Sequence, residues 1–309
     1  MLVAGGYDGT KNLNSAELYD PSTGIWTITG NMSIAQQNHV ATVLTNGSVL
    51  AAGPCSYGGG CFISAELYNP LTGIWTKTGN MTNIQSSSTI SLLANGSVLV
   101  AGGWDGFVYL NIAQLYHPST GIWTRTGNMS GARRLPTASI LTNGLVLVVG
   151  GYDGSVFLNS AELYNSSTGI WKNTGNMSTA RGQHTASVLA NGMVLVVGGT
   201  SGASDLNSVE LYNPSTGTWN NAGSMNIARK RHTASVLLNG MVLVTGGFSS
   251  GSYLSSTELY NPLTDTWTMA ANMNNSRVYH VTANLVDGTV LVVGGQNSAG
   301  YFLNDVQLY

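Results

Sequence analysis

One motif of about 48 residues repeats along the whole chain, and this self-similarity constrains the fold more than any other feature of the sequence. Most copies carry a glycine pair, and all carry a tyrosine that is followed, in six copies, by a tryptophan seven residues later. The glycine pairs are Gly5-Gly6, Gly102-Gly103, Gly150-Gly151, Gly198-Gly199, Gly246-Gly247 and Gly294-Gly295, with Gly53-Pro54 as a degenerate copy. The tyrosines are Tyr19, Tyr68, Tyr116, Tyr164, Tyr212, Tyr260 and Tyr309. This spacing predicts an array of similar units.

Turn chemistry divides each period into four short strands. An Asn-Gly or Asp-Gly pair, at positions 46, 95, 143, 191, 239 and 287, is typical of a two-residue hairpin between strands 1 and 2. Strand 2, such as Met193 to Val197, is almost wholly apolar, which indicates burial on both faces. Strands 3 and 4 carry the tyrosine and the tryptophan and are joined by turns such as Asn213 to Gly217. With 40 glycines and only 8% charged residues, the composition also favours an all-β fold.

These residues resemble the kelch repeat, in which an apolar strand, a double glycine and a spaced Tyr and Trp recur. The resemblance covers essentially the whole chain and implies an all-β, kelch-type β-propeller of four-stranded antiparallel blades. We therefore predict a single β-propeller domain over residues 1–309. The expected repeats are 1–30, 31–79, 80–127, 128–175, 176–223, 224–271 and 272–309.

The number of blades depends on the two ends of the chain. Its first residues, MLVAGG, match the later VLVAGG, so we expect the chain to begin at strand 2 of one repeat and to end at strand 3 of another. In a six-bladed alternative, Tyr279 to Val286 would close the first blade, but Val290 to Val293 would then be an exposed apolar edge strand. We therefore predict seven blades, two of them incomplete.

In such a blade, the loops from strand 2 to strand 3 and from strand 4 to the next strand 1 emerge on the same face. These loops vary between copies, whereas the turns at the other end are nearly invariant, which favours the loop face for recognition. Seven of the eleven basic residues fall in the loops that enter strand 1: Arg133, Arg134, Arg181, Arg229, Lys230, Arg231 and Arg277. The residue after the glycine pair is often aromatic, at Tyr7, Trp104, Tyr152 and Phe248.

We predict that these arginines and aromatic residues bind a protein or peptide, or another anionic ligand. The kelch resemblance implies the same, since arginines and tyrosines of these loop sets bind acidic peptides in kelch adaptors. The alternative is structural pairing between the loop arginines and a regular strand-3 acid, found at Glu17, Glu66, Glu162, Glu210 and Glu258. Arg134 and the run Arg229 to Arg231 exceed one basic residue per repeat, which favours ligand contacts there.

An enzymatic interpretation rests on Arg277-Val278-Tyr279-His280, which resembles a copper-binding segment of galactose oxidase-like proteins. The resemblance implies Tyr279 and His280 as copper ligands, but a working site also needs a tyrosine cross-linked to cysteine and a histidine from a further domain. His184 and His232 share the repeat position of His280, so a structural histidine is the simpler account. We predict a non-enzymatic binding scaffold without a cofactor, and glycan binding is a further alternative.

Charge and targeting signals give weaker predictions. The formal net charge of -2 does not suggest a nucleic-acid binder, and no apolar run is long enough for a membrane helix. Asn-x-Ser/Thr sequons favour an extracellular or cell-surface protein, with the cytoplasm as the alternative. They occur at Asn31, Asn46, Asn80, Asn95, Asn128, Asn165, Asn176 and Asn274. Cys55 and Cys61 form either a local disulfide or two thiols.

Overall fold

The hairpin and strand signals of the sequence build β-sheets throughout. A computed structural model describes residues 1–53, 55, 56 and 60–309, with the backbone alone at positions 55 and 56. The described part contains thirty strands and no helix. Twenty-six strands form seven main antiparallel sheets, and four short strands form two hairpins.

The first three main sheets contain the following strands in order. The first has β1 (Leu2–Ala4), β2 (Ala16–Asp20) and β3 (Ile25–Ile28). The second has β4 (Val40–Val43), β5 (Val49–Ala52), β8 (Ala65–Asn69) and β9 (Ile74–Lys77), and the hairpin of β6 (Cys55–Ser56) and β7 (Gly60–Cys61) follows β5. The third has β10 (Thr89–Leu92), β11 (Val98–Ala101), β12 (Ala113–His117) and β13 (Ile122–Arg125).

The remaining four main sheets continue the pattern. The fourth has β14 (Thr137–Ile140), β15 (Val146–Val149), β16 (Ala161–Asn165) and β17 (Ile170–Asn173). The fifth has β18 (Thr185–Val188), β19 (Val194–Val197), β20 (Val209–Asn213) and β21 (Thr218–Ala222). The sixth has β22 (Thr233–Val236), β23 (Val242–Thr245), β26 (Thr257–Asn261) and β27 (Thr266–Met269), with the hairpin of β24 (Phe248–Ser249) and β25 (Ser252–Tyr253) after β23. The seventh has β28 (Val281–Asn284), β29 (Val290–Val293) and β30 (Val306–Leu308).

This arrangement confirms the prediction of seven blades with two incomplete ones. Five sheets have four strands, whereas the first and last have three. The six-bladed alternative is wrong because β28 pairs with β29 of its own repeat, and β29 also pairs with β30. The apolar strand β29 therefore lies inside a sheet instead of forming an exposed edge.

Strand 2 is fully buried in the third to sixth repeats because neighbouring sheets cover both of its faces, whereas β1 of the first repeat is only half-buried. In the sixth sheet, Val242 and Val244 pack with Leu195 and Val197 of the fifth. The side chain between them, Leu243, joins a different cluster with β29 of the seventh sheet. Alternate side chains of one strand thus serve two interfaces, which explains why the strand-2 segments are apolar without alternation.

The repeated aromatic residues pack within and between these sheets. Each tyrosine of strand 3 lies opposite the tryptophan of strand 4, with ring centroids 4.9–5.2 Å apart in all six pairs. The hydroxyl of Tyr212 lies 2.7 Å from that of Thr174 in the preceding repeat, and the indole N–H of Trp219 donates to the carbonyl of Gly175 at 2.7 Å. These contacts confirm that the aromatic series is structural.

In the fifth repeat, both residues of the double glycine lie close to a neighbouring backbone. At Gly198, with φ of +58°, an added Cβ would lie 2.6 Å from the carbonyl oxygen of Arg229. At Gly199, with φ of +95°, it would lie 2.6 Å from the carbonyl oxygen of Gly182. A positive φ and a close approach therefore coincide at both positions, and a side chain would clash.

The described residues group into two compact units. The first comprises Met1–Ala138, Gly144–Val146 and Tyr164–Lys172, and the second comprises Ser139–Asn143, Leu147–Leu163 and Asn173–Tyr309. The fourth sheet contributes residues to both, and the single domain over 1–309 stays a prediction. Cys61 is disulfide-bonded and lies opposite Cys55 in the β6–β7 hairpin, while the side chain of Cys55 is outside the described part. No described helix is long and apolar enough to cross a membrane.

Candidate functional site

The two loop sets selected from the sequence lie side by side within each repeat. In the sixth repeat, the backbone N–H of Lys230, before strand 1, donates to the carbonyl of Phe248 at 3.0 Å. Phe248, after the double glycine, donates back to Lys230 at 2.9 Å. The same reciprocal pair joins Ser86 with Trp104, Gly182 with Thr200, and Val278 with Gln296. Loops of the two sets therefore share one end of each of these sheets.

Four of the six arginines predicted to contact a ligand are buried. Arg133, Arg181, Arg229 and Arg277 are each at most 1% exposed. The guanidinium of Arg229 pairs with Glu258 at 2.8 Å and donates to the carbonyls of Gly246 at 2.8 Å and Ser256 at 3.0 Å. Arg181 pairs with Glu210 at 2.7 Å. Structural pairing with the strand-3 acid is therefore what the structure shows for Arg181 and Arg229, and these four side chains have no surface to offer a ligand.

Burial disfavours the charged form of these arginines, and the paired glutamate favours it. Burial lowers the pKa of the Arg229 guanidinium from its ordinary value, and the hydrogen bond and charge of Glu258 act in the opposite direction. In the last repeat, Arg277 pairs instead with Asp305 at 3.1 Å, two residues before the usual acid position, which is occupied by Gln307. The ion pair of the loop arginine is thus present in both repeats, although the acidic residue stands at a different position of the repeat.

The other two of the six predicted arginines are partly exposed, and each lies against an aromatic ring. The guanidinium carbon of Arg134 lies 5.3 Å from the ring centroid of Trp104, in the first unit. That of Arg231 lies 4.8 Å from the ring centroid of Tyr279, in the second unit. Within the described part of the chain, no carboxylate forms an ion pair with Arg134 or Arg231, and both distances fit cation–π contacts.

Lys230 and the predicted aromatic residues Phe248, Tyr152 and Tyr7 contact residues of the loops around them. Lys230 pairs with Asp205 at 2.8 Å and lies 5.4 Å from the ring centroid of Phe248. Tyr152 donates its hydroxyl to the carbonyl of Gly154 at 2.9 Å and stacks on Phe157. The hydroxyl of Tyr7 donates to the carbonyl of Gly9 at 3.0 Å. These aromatic side chains therefore support the loops after strand 2, and their binding roles stay predictions.

One residue of each loop that enters strand 1 has a left-handed backbone although it is not glycine. It stands two positions after the buried arginine, or its glutamine equivalent, and φ lies between +54° and +58° in each copy. The six residues are Asn38, Ser87, Leu135, Gln183, Arg231 and Tyr279, and we call them the left-handed positions. In the sixth repeat, Arg229 and His232 are buried, whereas Arg231, where the backbone is left-handed, is partly exposed.

Three left-handed positions form a connected cluster in the second unit. The backbone N–H of Arg231 donates to the carbonyl of Gln183 at 3.0 Å, and its Nε–H donates to the side-chain oxygen of Gln183, also at 3.0 Å. Its guanidinium covers Tyr279, whose side chain is 60% exposed. The sequence interpretation selected Arg231 but missed Gln183. One sequence feature could have drawn attention to Gln183: the left-handed position carries a different residue type in each of the six repeats.

Tyr279 and His280, the residues of the copper interpretation, face different surroundings. Tyr279 lies at the surface, whereas His280 is 4% exposed and its Nε2 lies 3.0 Å from Thr233 Oγ1 and 3.1 Å from Thr245 Oγ1. Burial lowers the pKa of the His280 imidazole to about 3. The described residues contain no group of three or more His, Cys, Asp or Glu side chains that could hold a metal ion. The contacts of His280 fit the structural histidine that the repeat position indicated.

Family comparison agrees with the repeat geometry. A family model described as the KLHDC2/KLHL20/DRC7 Kelch-repeats domain matches residues 95–295, more than half of the chain. The chain belongs to this kelch-repeat family. A second model, the Kelch motif, matches residues 1–33. No curated protein matches the chain. The protein is thus a kelch-repeat β-propeller, and kelch propellers are generally protein-interaction scaffolds and typically lack enzymatic activity.

Proposed function

We propose that this kelch propeller binds an acidic segment of a partner protein, and that Arg231, held by Gln183 and Tyr279, contacts a carboxylate of that segment. The observation that carries the proposal is a surface guanidinium that is fixed in position but has no acidic partner among the described residues. A preorganised arginine loses less conformational freedom when a ligand arrives, and Arg is enriched among residues that dominate binding energy.

Comparison with the neighbouring cations singles out Arg231. In the second unit, Arg181, Arg229, Lys230 and Arg277 are each matched by an aspartate or glutamate. Arg231 donates its Nε–H to an uncharged amide, and no described hydrogen bond engages its two terminal nitrogens. The end of the guanidinium fork is therefore available for a bidentate contact, the geometry in which arginine binds carboxylates.

The first unit contains a second place with the same chemistry. Arg134 covers Trp104, and Phe107 and Val108 lie exposed at the tip of the hairpin that Trp104 begins. A cation next to exposed apolar side chains suits a peptide that combines a carboxylate with bulky apolar residues. The two arginines support the same class of partner from separate parts of the chain.

The test is peptide selection followed by affinity measurement. A displayed library of random peptides selected on the full chain should be enriched in Asp and Glu. An enriched peptide should bind Arg231→Gln about 30-fold more weakly in calorimetry, because removal of one member of an interfacial charge pair costs roughly 2 kcal/mol or more. Lys172→Gln, which removes an exposed positive charge from strand β17, is the matched control and should leave the affinity unchanged.

Two results would contradict the proposal: enrichment of neutral peptides, or equal affinity for Arg231→Gln and the wild type. Arg229 is not a suitable target, since its replacement would disturb the buried pair with Glu258. Glycan binding and the extracellular location stay predictions. A glycan array tests the first, and glycosidase-sensitive mass of the natural protein tests the second, with exposed sequons at Asn31, Asn80, Asn128 and Asn176 as the sites to examine.

A further inference from the structure

The left-handed positions carry different side chains on the same backbone conformation. We propose that the exposed and partly exposed side chains at these positions determine which peptide the protein selects: Leu135 beside Arg134 in the first unit, and Gln183 and Tyr279 beside Arg231 in the second. This inference rests on the proposed function and deepens it, because it assigns specificity to the uncharged side chains next to the two arginines. It follows from the backbone conformation, from the frame that holds it, and from the exposure of the side chains.

The first step is the choice of residue at a strained conformation. Residues with a Cβ rarely adopt φ near +55°, and glycine does so without steric cost. Elsewhere in the described part of the chain, glycine occupies the positions of positive φ, in the double glycine and in the turns, except at Ser250 and Asp265. None of the six left-handed positions is glycine, and of their residue types only asparagine adopts this conformation readily. The strain persists although the backbone alone would favour glycine, which points to a use for the side chain.

The second step is that the frame does not depend on these side chains. The backbone N–H of Leu135 donates to the carbonyl of Ser87 at 2.9 Å, and that of Ser87 donates to Asn38 at 3.3 Å. In the second unit the N–H of Arg231 donates to Gln183 in the same way, at 3.0 Å. Backbone groups thus link the left-handed position of one repeat to that of the repeat before it. These bonds use no side-chain atoms.

The third step is exposure. Leu135 is 40% exposed and Tyr279 is 60% exposed, while Gln183 and Arg231 are partly exposed and Asn38 is exposed. Ser87, 8% exposed, is the buried exception. Large apolar side chains at the surface of a rigid frame are typical contacts for a protein partner. Together with the cations nearby, they fit a peptide that has apolar residues next to its carboxylates.

Asp265 offers a matched control because it is also left-handed, with φ of +54°, but has a structural function. It stands in the turn between β26 and β27, where five other repeats have glycine. Its carboxylate accepts the N–H of Gly223 at 2.7 Å and the hydroxyl of Tyr260 at 3.0 Å. The structural function of this left-handed residue is thus shown by its side-chain hydrogen bonds, which Leu135 cannot form.

The experiment replaces left-handed residues by glycine in the full chain. Leu135→Gly and Tyr279→Gly should leave Tm unchanged or raise it by about 2 °C, because relief of strain offsets the added freedom of the unfolded chain. Asp265→Gly should lower Tm. The displayed random peptide library is then selected on each variant, and the peptide best enriched on the wild type is titrated against all of them.

We expect Leu135→Gly and Tyr279→Gly to enrich different peptides from the wild type and to bind the wild-type peptide about 10-fold more weakly. Asp265→Gly should enrich the same peptides as the wild type. If all variants enrich the same acidic peptides with equal affinity, the inference is wrong while the proposed function stands. If the enriched peptides are neutral but still differ between variants, the proposal of an acidic partner is wrong, while the inference that the left-handed positions determine specificity is supported. A fall in Tm for Leu135→Gly as large as for Asp265→Gly, or no enrichment on the wild type, would overturn the inference.

Discussion

The chain contains a natural replacement for its buried ion pair, and this allows a sharp test of what the pair contributes. In the third repeat, glutamines occupy the positions of both the arginine and the glutamate, as Gln85 and Gln114, and the two amides are hydrogen-bonded to each other. Gln85 donates to the carbonyls of Gly102 at 2.7 Å and Ile112 at 3.0 Å. These are the equivalents of the two carbonyls that Arg229 contacts in the sixth repeat.

The acceptor side of the pair is preserved as well. The side-chain oxygen of Gln114 accepts the N–H and the hydroxyl of Thr82 at 2.6 and 2.7 Å. Glu258 accepts the N–H of Asn226 at 2.7 Å and its side-chain amide at 2.9 Å. An uncharged pair therefore satisfies the same backbone groups as the charged pair, with no buried charge to desolvate.

We therefore predict strong non-additivity in the sixth repeat. Arg229→Gln and Glu258→Gln should each cost about 3–5 kcal/mol, because each leaves a buried charge without its partner. The double variant should cost only about 1 kcal/mol, since it recreates the amide pair of the third repeat, so the coupling energy should be about 5 kcal/mol or more. The measurement is urea unfolding of all four proteins at pH 7.5, with midpoints and slopes compared.

An additive double variant, as destabilised as the sum of the two single changes, would refute this reasoning. It would mean that the carbonyl and N–H contacts of the pair, and not its two charges, determine the cost of each substitution. Lys172→Gln, which removes an exposed charge, should change the unfolding free energy by less than about 0.5 kcal/mol and serves as the reference.

Two further predictions follow from buried groups. Gln36→Arg should stabilise the protein by roughly 1–3 kcal/mol. The reason is that Glu66 is buried and accepts hydrogen bonds from Ser33 but has no arginine partner among the described residues. A urea midpoint lower than that of the wild type would contradict this prediction. Acid should also destabilise the fold. Burial lowers the pKa of His184 and of His280 to about 3 from the ordinary value of 6.5. Below pH 6.5 these histidines therefore bind protons in the unfolded chain but stay neutral in the folded protein. Stability should fall from about pH 7 downward, by about 2 kcal/mol per histidine at pH 5, and urea midpoints that are equal at pH 7.5 and 5.0 would disprove it.

Much of the fold could be predicted because each signal acts over a short distance. The Asn-Gly pairs define hairpins such as that between β18 and β19, and the spacing of Tyr212 and Trp219 fixes the register of β20 with β21. The incomplete first and last sheets were also predicted, by a strand count together with the need to pair Val290 to Val293. Local turn chemistry and burial of apolar edges were sufficient for these conclusions.

The candidate site could be predicted only in part. Arg134 and Arg231 were expected among the best ligand contacts, and the structure places both at the surface against aromatic rings. Arg229 was expected beside them but is buried, and Gln183 was not selected at all. Residue type indicated the positive charge, but it did not indicate which side chains of a loop turn inward.

The sequence by itself determined the period, the strands, the turns and the presence of a basic loop set, because hydrophobic pattern and turn propensity are properties of neighbouring residues. Only the tertiary structure decided which cations are exposed. Arg229 and Arg231 are two residues apart and equally charged, yet Glu258, distant along the chain, holds the first inside, and a left-handed backbone turns the second outward. Burial of a charge depends on a partner brought near by folding, and this is the physical reason that sequence pattern alone could not separate them.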